Sequence, residues 1–193
     1  MASLLLAAFP PELAGLDASP PAGWITGITG IGALTAAVET ARLVAAHRPD
    51  RVLFVGTCGA LDDRLRVGDV IAATEAIATC VEERTGGAYR PEAERVRWPA
   101  TWPLPFPAHA AAVPPAITRT AEGARALAGA AAVEHLELTG VFAACHAARV
   151  PVAAALAVAN RVGPGAHAEW VAQHARASAA LVEALRAAGV LGG

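Results

Sequence analysis

The stretch "VPVAAALAVA", residues 150–159, carries no polar side chain at any position. A strand with one wet face alternates apolar and polar residues, so a run without alternation needs cover on both faces. That is the condition of a strand inside a sheet sandwiched between helices. Four further short apolar runs read as strands, at 3–9, 23–30, 51–56 and 69–78. Alanine-rich stretches at 32–48, 118–129, 135–149 and 165–188 read as helices. Strands alternating with helices give a mostly parallel sheet with helices on its faces. The expected fold class is α/β: a three-layer α/β/α unit with a mixed, largely parallel central sheet. A chain of 193 residues, 55% of them hydrophobic, can bury one such core, which predicts a single domain over 1–193. Residues 85–107, "TGGAYRPEAERVRWPATWPLPFP", have neither period and read as a long loop over one edge.

Charge and composition narrow the partners. The 15 basic and 17 acidic side chains nearly cancel, and no Lys/Arg block interleaves with aromatics, which argues against nucleic acid. The mean hydropathy of +0.44 comes from dispersed alanine. Every long apolar run is interrupted before spanning length, so no transmembrane helix is expected. "MASLLLAAFPP" lacks a basic n-region and reads as a first strand rather than a leader. Cys58, Cys80 and Cys145 are odd in number and in no CxxC pattern, as for reduced thiols in a cytoplasmic protein. The six histidines have no ligand spacing, so neither metal nor cofactor is expected, and each reads as a surface or half-buried helix residue.

Ligands of open α/β sheets sit beyond the C-terminal strand ends. The residues there are Glu12 in "PPE", the "GTCGAL" turn from Gly56 to Leu61 with Thr57 and Gly59, and Asn160. Each has an ordinary reading: Glu12 as a solvated turn, GTCG as a plain tight turn, Asn160 as a cap. Taken together on a parallel sheet they share one rim. Glu137 sits near them in the apolar "EHLELTG" and reads as lying just inside a helix. Burial there removes solvation that a specific partner must replace. Either a neighbour does so, such as a buried arginine or helix N-terminal backbone, or a ligand does.

"GITGIGALTAAVETARLVAAHRPDRVLFVGTCGALDDRLRVGDVIAATEA", residues 27–76, resembles the core of the purine nucleoside phosphorylase and nucleosidase superfamily. "VEHLELTGVFAACHAARVPV" is similar to that superfamily's "VEMEA" helix, with Leu136 at the methionine and Glu137 at the glutamate. Within it, "ANRVGPGAHAEW" and "AITRTAEGARALA" resemble the futalosine hydrolases. The chain departs from their pattern at Leu156, Ala159 and the "PGAH" after Val162 and Gly163.

The resemblance implies hydrolysis of the N-glycosidic bond of a hypoxanthine nucleoside, futalosine foremost, as in menaquinone biosynthesis. Glu12 would deprotonate a water beneath the sugar, and Glu137 would bind the ribose hydroxyls over Leu136. Thr57 and Gly59 would line the site, and Asn160 would select a 6-oxopurine through one donor and one acceptor face. Phosphorolysis needs arginines that are absent after the first strand and before GTCG. An adenine nucleosidase, a phosphorylase or a non-catalytic nucleoside binder are the alternatives. The pocket for the 5' substituent is expected in the loop with Trp98, Trp102 and Phe106, aromatics that would either stack on a base or cover an apolar subunit interface. The resemblance implies a homo-oligomer, a dimer or larger.

Overall fold

The computed structural model describes residues 2–192 and contains all five expected strands. These are β1 (Ser3–Ala7), β2 (Trp24–Ile28), β3 (Val52–Ala60), β4 (Val70–Ala78) and β8 (Val152–Arg161). Three short strands join them: β5 (Arg97–Pro99), β6 (Ala108–Val113) and β7 (Val133–Glu134). The helices are α1 (Ala33–His47), α2 (Val81–Arg84), α3 (Ala121–Ala128), α4 (Leu138–Ala148) and α5 (Ala166–Ala187). Among the described residues, no helix is long and apolar enough to cross a membrane.

The sheet runs β2-β1-β3-β7-β6-β4-β5, with β8 pairing both β3 and β4. Pairing therefore closes a ring through β3, β8, β4, β6 and β7. β1, β3 and β8 are mutually parallel, whereas β4 runs antiparallel to β8 and β7 antiparallel to β3. The sheet is mixed and largely parallel, and helices cover both faces. On one, Leu181, Val182 and Leu185 of α5 pack on Leu5, Leu53 and Val55. On the other, Val141 and Phe142 of α4 and Leu43 of α1 pack on Leu6, Phe54 and Leu156. The apolar run that predicted a two-sided strand is buried throughout β8 up to Asn160.

α1 and α4 touch through Gly140, where a Cβ would overlap the carbonyl oxygen of Ala33 in the first turn of α1. Backbone rather than side chain stands in the way, so no rotamer change could relieve it. This close approach carries the start of α4 to the start of α1.

Four expectations need correction. β3 does not end at residue 56: it continues through Gly56-Thr57-Cys58-Gly59 to Ala60, and GTCG is strand rather than turn. β8 pairs with it along that length, with a bulge between Cys58 and Gly59. β8 runs on to Arg161, so Asn160 lies within a strand and is no cap. The helix expected from residue 135 begins at Leu138, leaving Glu137 at its N-cap. Residues 85–107 are not a free loop: β5 pairs with β4, Trp98 joins one core, and Trp102 and Phe106 join the other. Thr101 exchanges hydrogen bonds with Val152, at the N-terminal end of β8 and away from Asn160. These aromatics are drawn to the opposite end of the sheet from the rim.

Candidate active site

Directly after β1, Pro10 and Pro11 open a 3-10 turn, Pro10–Leu13, that brings Glu12 to the rim beside β3. Glu12 is only 3% exposed. Its Oε1 accepts from both the Thr57 N–H and the Thr57 hydroxyl at 2.8 Å, and Oε2 accepts from the Ala8 N–H at 3.3 Å. Trp170 of α5 donates Nε1–H to the Thr57 Oγ1 at 3.1 Å, which fixes the hydroxyl to point at Glu12. Burial pushes the Glu12 carboxyl up to about 7. The Thr57 hydrogen bonds oppose that rise and the charge of Glu137 adds to it. A carboxylate with a pKa near neutrality, and rigidly held, suits a general base.

Glu137 is buried at the N-cap of α4. Its Oε1 accepts from the Gly32 N–H at 2.8 Å. Gly32 caps α1 with φ +88°, a left-handed conformation that glycine adopts without strain. Part of the missing solvation is thus supplied by a helix N-terminus. His135 lies against the other oxygen without donating to it, its Nδ1 3.2 Å from Glu137 Oε2. Nδ1 accepts the Glu137 backbone N–H at 3.1 Å, which places the imidazole proton on Nε2. Burial holds His135 below the usual histidine range, so it is neutral and the Glu137 contact is no ion pair. Nε2 turns towards Glu12: it and Glu12 Oε2 each lie 3.3 Å from the point a Cβ on Gly56 would occupy. A side chain at 56 would press on both, and on Phe54 Cε1 at 3.0 Å.

The lining continues with Asn160, Gly59, Glu134 and Ile117, and with His167 and Trp170 from α5. Asn160 donates Nδ2–H to the Arg161 carbonyl at 2.9 Å, leaving its other N–H and its Oδ1 for a ligand. Trp170 stacks between His174, at 4.3 Å, and His167, at 6.0 Å, and Phe9 tilts against it. The cavity measures about 310 Å³. That is within the range of small-molecule sites. Among the described residues its lining includes neither arginine nor lysine.

All six residues singled out from the sequence, Glu12, Thr57, Gly59, Leu136, Glu137 and Asn160, line this one cavity. Trp98, Trp102 and Phe106 do not, which corrects their expected place at the 5' end of a substrate. His135 and Glu134 were passed over, and the assignment of every histidine to a surface or half-buried helix position fails at His135. Their only signal was polarity inside the apolar "VEHLEL". Trp170, the last residue of the quoted "ANRVGPGAHAEW", had been given no role.

The family model for the phosphorylase superfamily matches residues 25–135, more than half of the chain. The chain belongs to the phosphorylase superfamily. Among curated members, the 5'-methylthioadenosine/S-adenosylhomocysteine nucleosidase of Staphylococcus carnosus is 45% identical over 49 residues. That match spans 25% of this chain and 22% of the relative, about a fifth of its length. Among solved structures of the superfamily's fold, futalosine hydrolase from Helicobacter pylori superposes with a TM-score of 0.84 at 15% identity, covering 96% of each chain. The 5'-methylthioadenosine/S-adenosylhomocysteine nucleosidase of the same organism also gives 0.84 at 15% identity, covering 97% of each. At such identities these two likenesses establish the fold.

Proposed function

We propose that this superfamily member is a purine nucleosidase that hydrolyses the N-glycosidic bond of a hypoxanthine nucleoside, futalosine foremost. The observation that carries the reading is the buried Glu12. Its pKa is near 7, it is locked by Thr57 and Ala8, and it faces a cavity with no cationic side chain among the described residues. A phosphorylase needs cations to hold phosphate; a hydrolase needs a base and a water.

In this reading the nucleoside lies with its ribose over Leu136, and its hydroxyls donate to Glu137. Glu137 Oε1 is anchored by Gly32, so Oε2 is the free acceptor. Water sits in the cavity between Glu12 and the Nε2–H of His135. As the glycosidic bond lengthens, positive charge spreads over the sugar ring, and the two carboxylates Glu12 and Glu137 stabilise it. Glu12 takes the water proton as oxygen bonds to C1'. Trp170 and Phe9 flank the base, and the free N–H and Oδ1 of Asn160 match the O6 or N7 acceptor and the ring N–H donor of a 6-oxopurine.

A second reading, methylthioadenosine or S-adenosylhomocysteine as substrate, draws on the 49-residue similarity to a nucleosidase of that name. Ultraviolet assays of futalosine, inosine and methylthioadenosine, with and without phosphate, decide between them. Phosphate-independent release of hypoxanthine is expected. Turnover that requires phosphate would replace the hydrolase with a phosphorylase, and preference for methylthioadenosine would overturn the argument from Asn160.

We also propose a dimer or larger assembly. Ile31, at 65% exposed, and Leu34 and Val38 of α1 form an apolar face beside the cavity mouth. Light scattering on the purified protein tests this, and a monomer at micromolar concentration refutes it. The three free thiols fit a reducing, cytoplasmic setting.

A further inference from the structure

Three carboxyl groups line the cavity: Glu12 has both oxygens hydrogen-bonded by Thr57 and Ala8, and Glu137 has Oε1 bonded by Gly32, with Oε2 left for the ribose in the proposed reading. Glu134 stands apart. It is 7% exposed, and its Oε1 accepts the Thr118 N–H at 3.2 Å. Its Oε2 is buried with no hydrogen-bond partner among the described residues. An anion in that position would be strongly disfavoured, and a neutral acid much less so. Burial accordingly raises the Glu134 pKa above the usual carboxylate range.

The sheet register places this side chain. Gly59 pairs with Glu134 on β7 and with Asn160 on β8. Residues paired directly across a sheet share a face, so the carboxyl and the amide flank the glycine. A Cβ at Gly59 would lie 3.0 Å from Asn160 Nδ2 and 2.7 Å from Val162 Cγ2. The missing side chain keeps a slot open next to Asn160, on the face that Glu134 shares.

Departure of a purine as an anion is slow, and protonating a ring nitrogen speeds it. Asn160 has no proton to release. We propose that Glu134, as a neutral acid, donates a proton to the departing purine while Asn160 orients the base against it. The assignment rests on the nucleosidase reading above. The Glu134 proton passes to a purine ring nitrogen, and the C1'–N bond breaks with its electron pair going to the purine. Water oxygen bonds to C1' and its proton passes to Glu12. Glu134 ends as carboxylate and Glu12 as acid, and proton exchange with solvent restores both.

The test compares wild type and Glu134→Gln on inosine and on p-nitrophenyl riboside, whose phenolate leaves without a proton. Where the nitrophenyl compound is not turned over, 7-methylinosine replaces it, since its methyl group takes the proton's place. Glu134→Gln is expected to lower kcat on inosine by about 100-fold or more. On the activated substrate kcat is expected to stay within about threefold. Equal loss on both substrates, or undiminished inosine turnover, overturns the assignment. Should the glutamine variant not fold, Glu134→Asp is read by the same two criteria. A wild type inert on every substrate overturns the nucleosidase reading and this inference with it, whereas an active wild type with a uniformly impaired variant overturns the inference alone.

Discussion

The rim where β1, β3 and β8 end and the excursion from α2 to β5 both rely on charged side chains, and water separates their consequences. In the excursion Arg90 pairs with Glu83 and Glu94 at 2.6 Å, Arg97 pairs with Glu75 at 2.6 Å, and the Arg95 guanidinium lies 3.9 Å over Trp98. A lost partner there is replaced by solvent. At the rim, Glu12, Glu137 and Glu134 accept hydrogen bonds from backbone N–H groups in a nearly dry pocket. A lost partner there leaves a group stranded. Short ion pairs mark tolerance in this molecule; fewer, neutral-donor contacts to buried acids mark constraint.

The sharpest way to break that comparison is Glu12→Gln. It is expected to lower kcat by roughly 10³-fold or more with nucleoside binding retained, and isothermal titration beside steady-state rates measures both. Loss of less than about tenfold would remove the rim's claim to special status. Because the proposed role of Glu12 requires the anion, wild-type kcat/KM is expected to fall as pH drops through about 7. Stability moves the other way. The folded-state pKa exceeds the unfolded one, so the Glu12 contribution is intact below about 4.5 and is lost as pH rises through about 7. Urea denaturation of wild type against Glu12→Gln across that window is expected to narrow or reverse by on the order of 3 kcal/mol.

Next in size is Glu137→Ala, which removes the acceptor proposed for the ribose hydroxyls. The expected cost is about 100-fold in kcat/KM, from charged hydrogen bonds worth about 2–3 kcal/mol. Gly140→Ala, outside the cavity lining, is expected to destabilise by about 1–3 kcal/mol through overpacking against Ala33. It is also expected to lower activity, because parting α1 from α4 pulls Gly32 off Glu137; unchanged melting temperature and rate would show the helix contact to be soft. Arg90→Ala is the smallest: less than about 1 kcal/mol in denaturation and no change in turnover. A larger effect would place the excursion on a footing with the rim.

How much was legible beforehand follows from the same physics. The uniform apolarity of 150–159 fixed a two-sided strand, and motif-bearing Glu12, Thr57, Glu137 and Asn160 came together as expected because β1, β3 and β8 are parallel. β6, "AHAAAV", was missed because alanine has little strand preference and the segment takes its form from partners on β4 and β7. GTCG looked like a turn because glycine usually signals conformational freedom; at Gly56 and Gly59 it signals missing volume beside Glu12 and Asn160. His135 and Glu134 carry no spacing rule, and only the register of β7 gives them a place. The tryptophans at 98 and 102 were drawn to the wrong end because aromatic composition says that a segment is buried and not where.

The strand ring is fastened by the two residues of β7, Val133 and Glu134, and side chains alternate faces along a strand. Inserting or deleting a single residue between 130 and 134 would turn Val133 outward and swing Glu134 into the hydrocarbon interior. The clasp of the architecture and the proposed proton donor are therefore one short piece of chain, and neither can be re-cut without re-cutting the other.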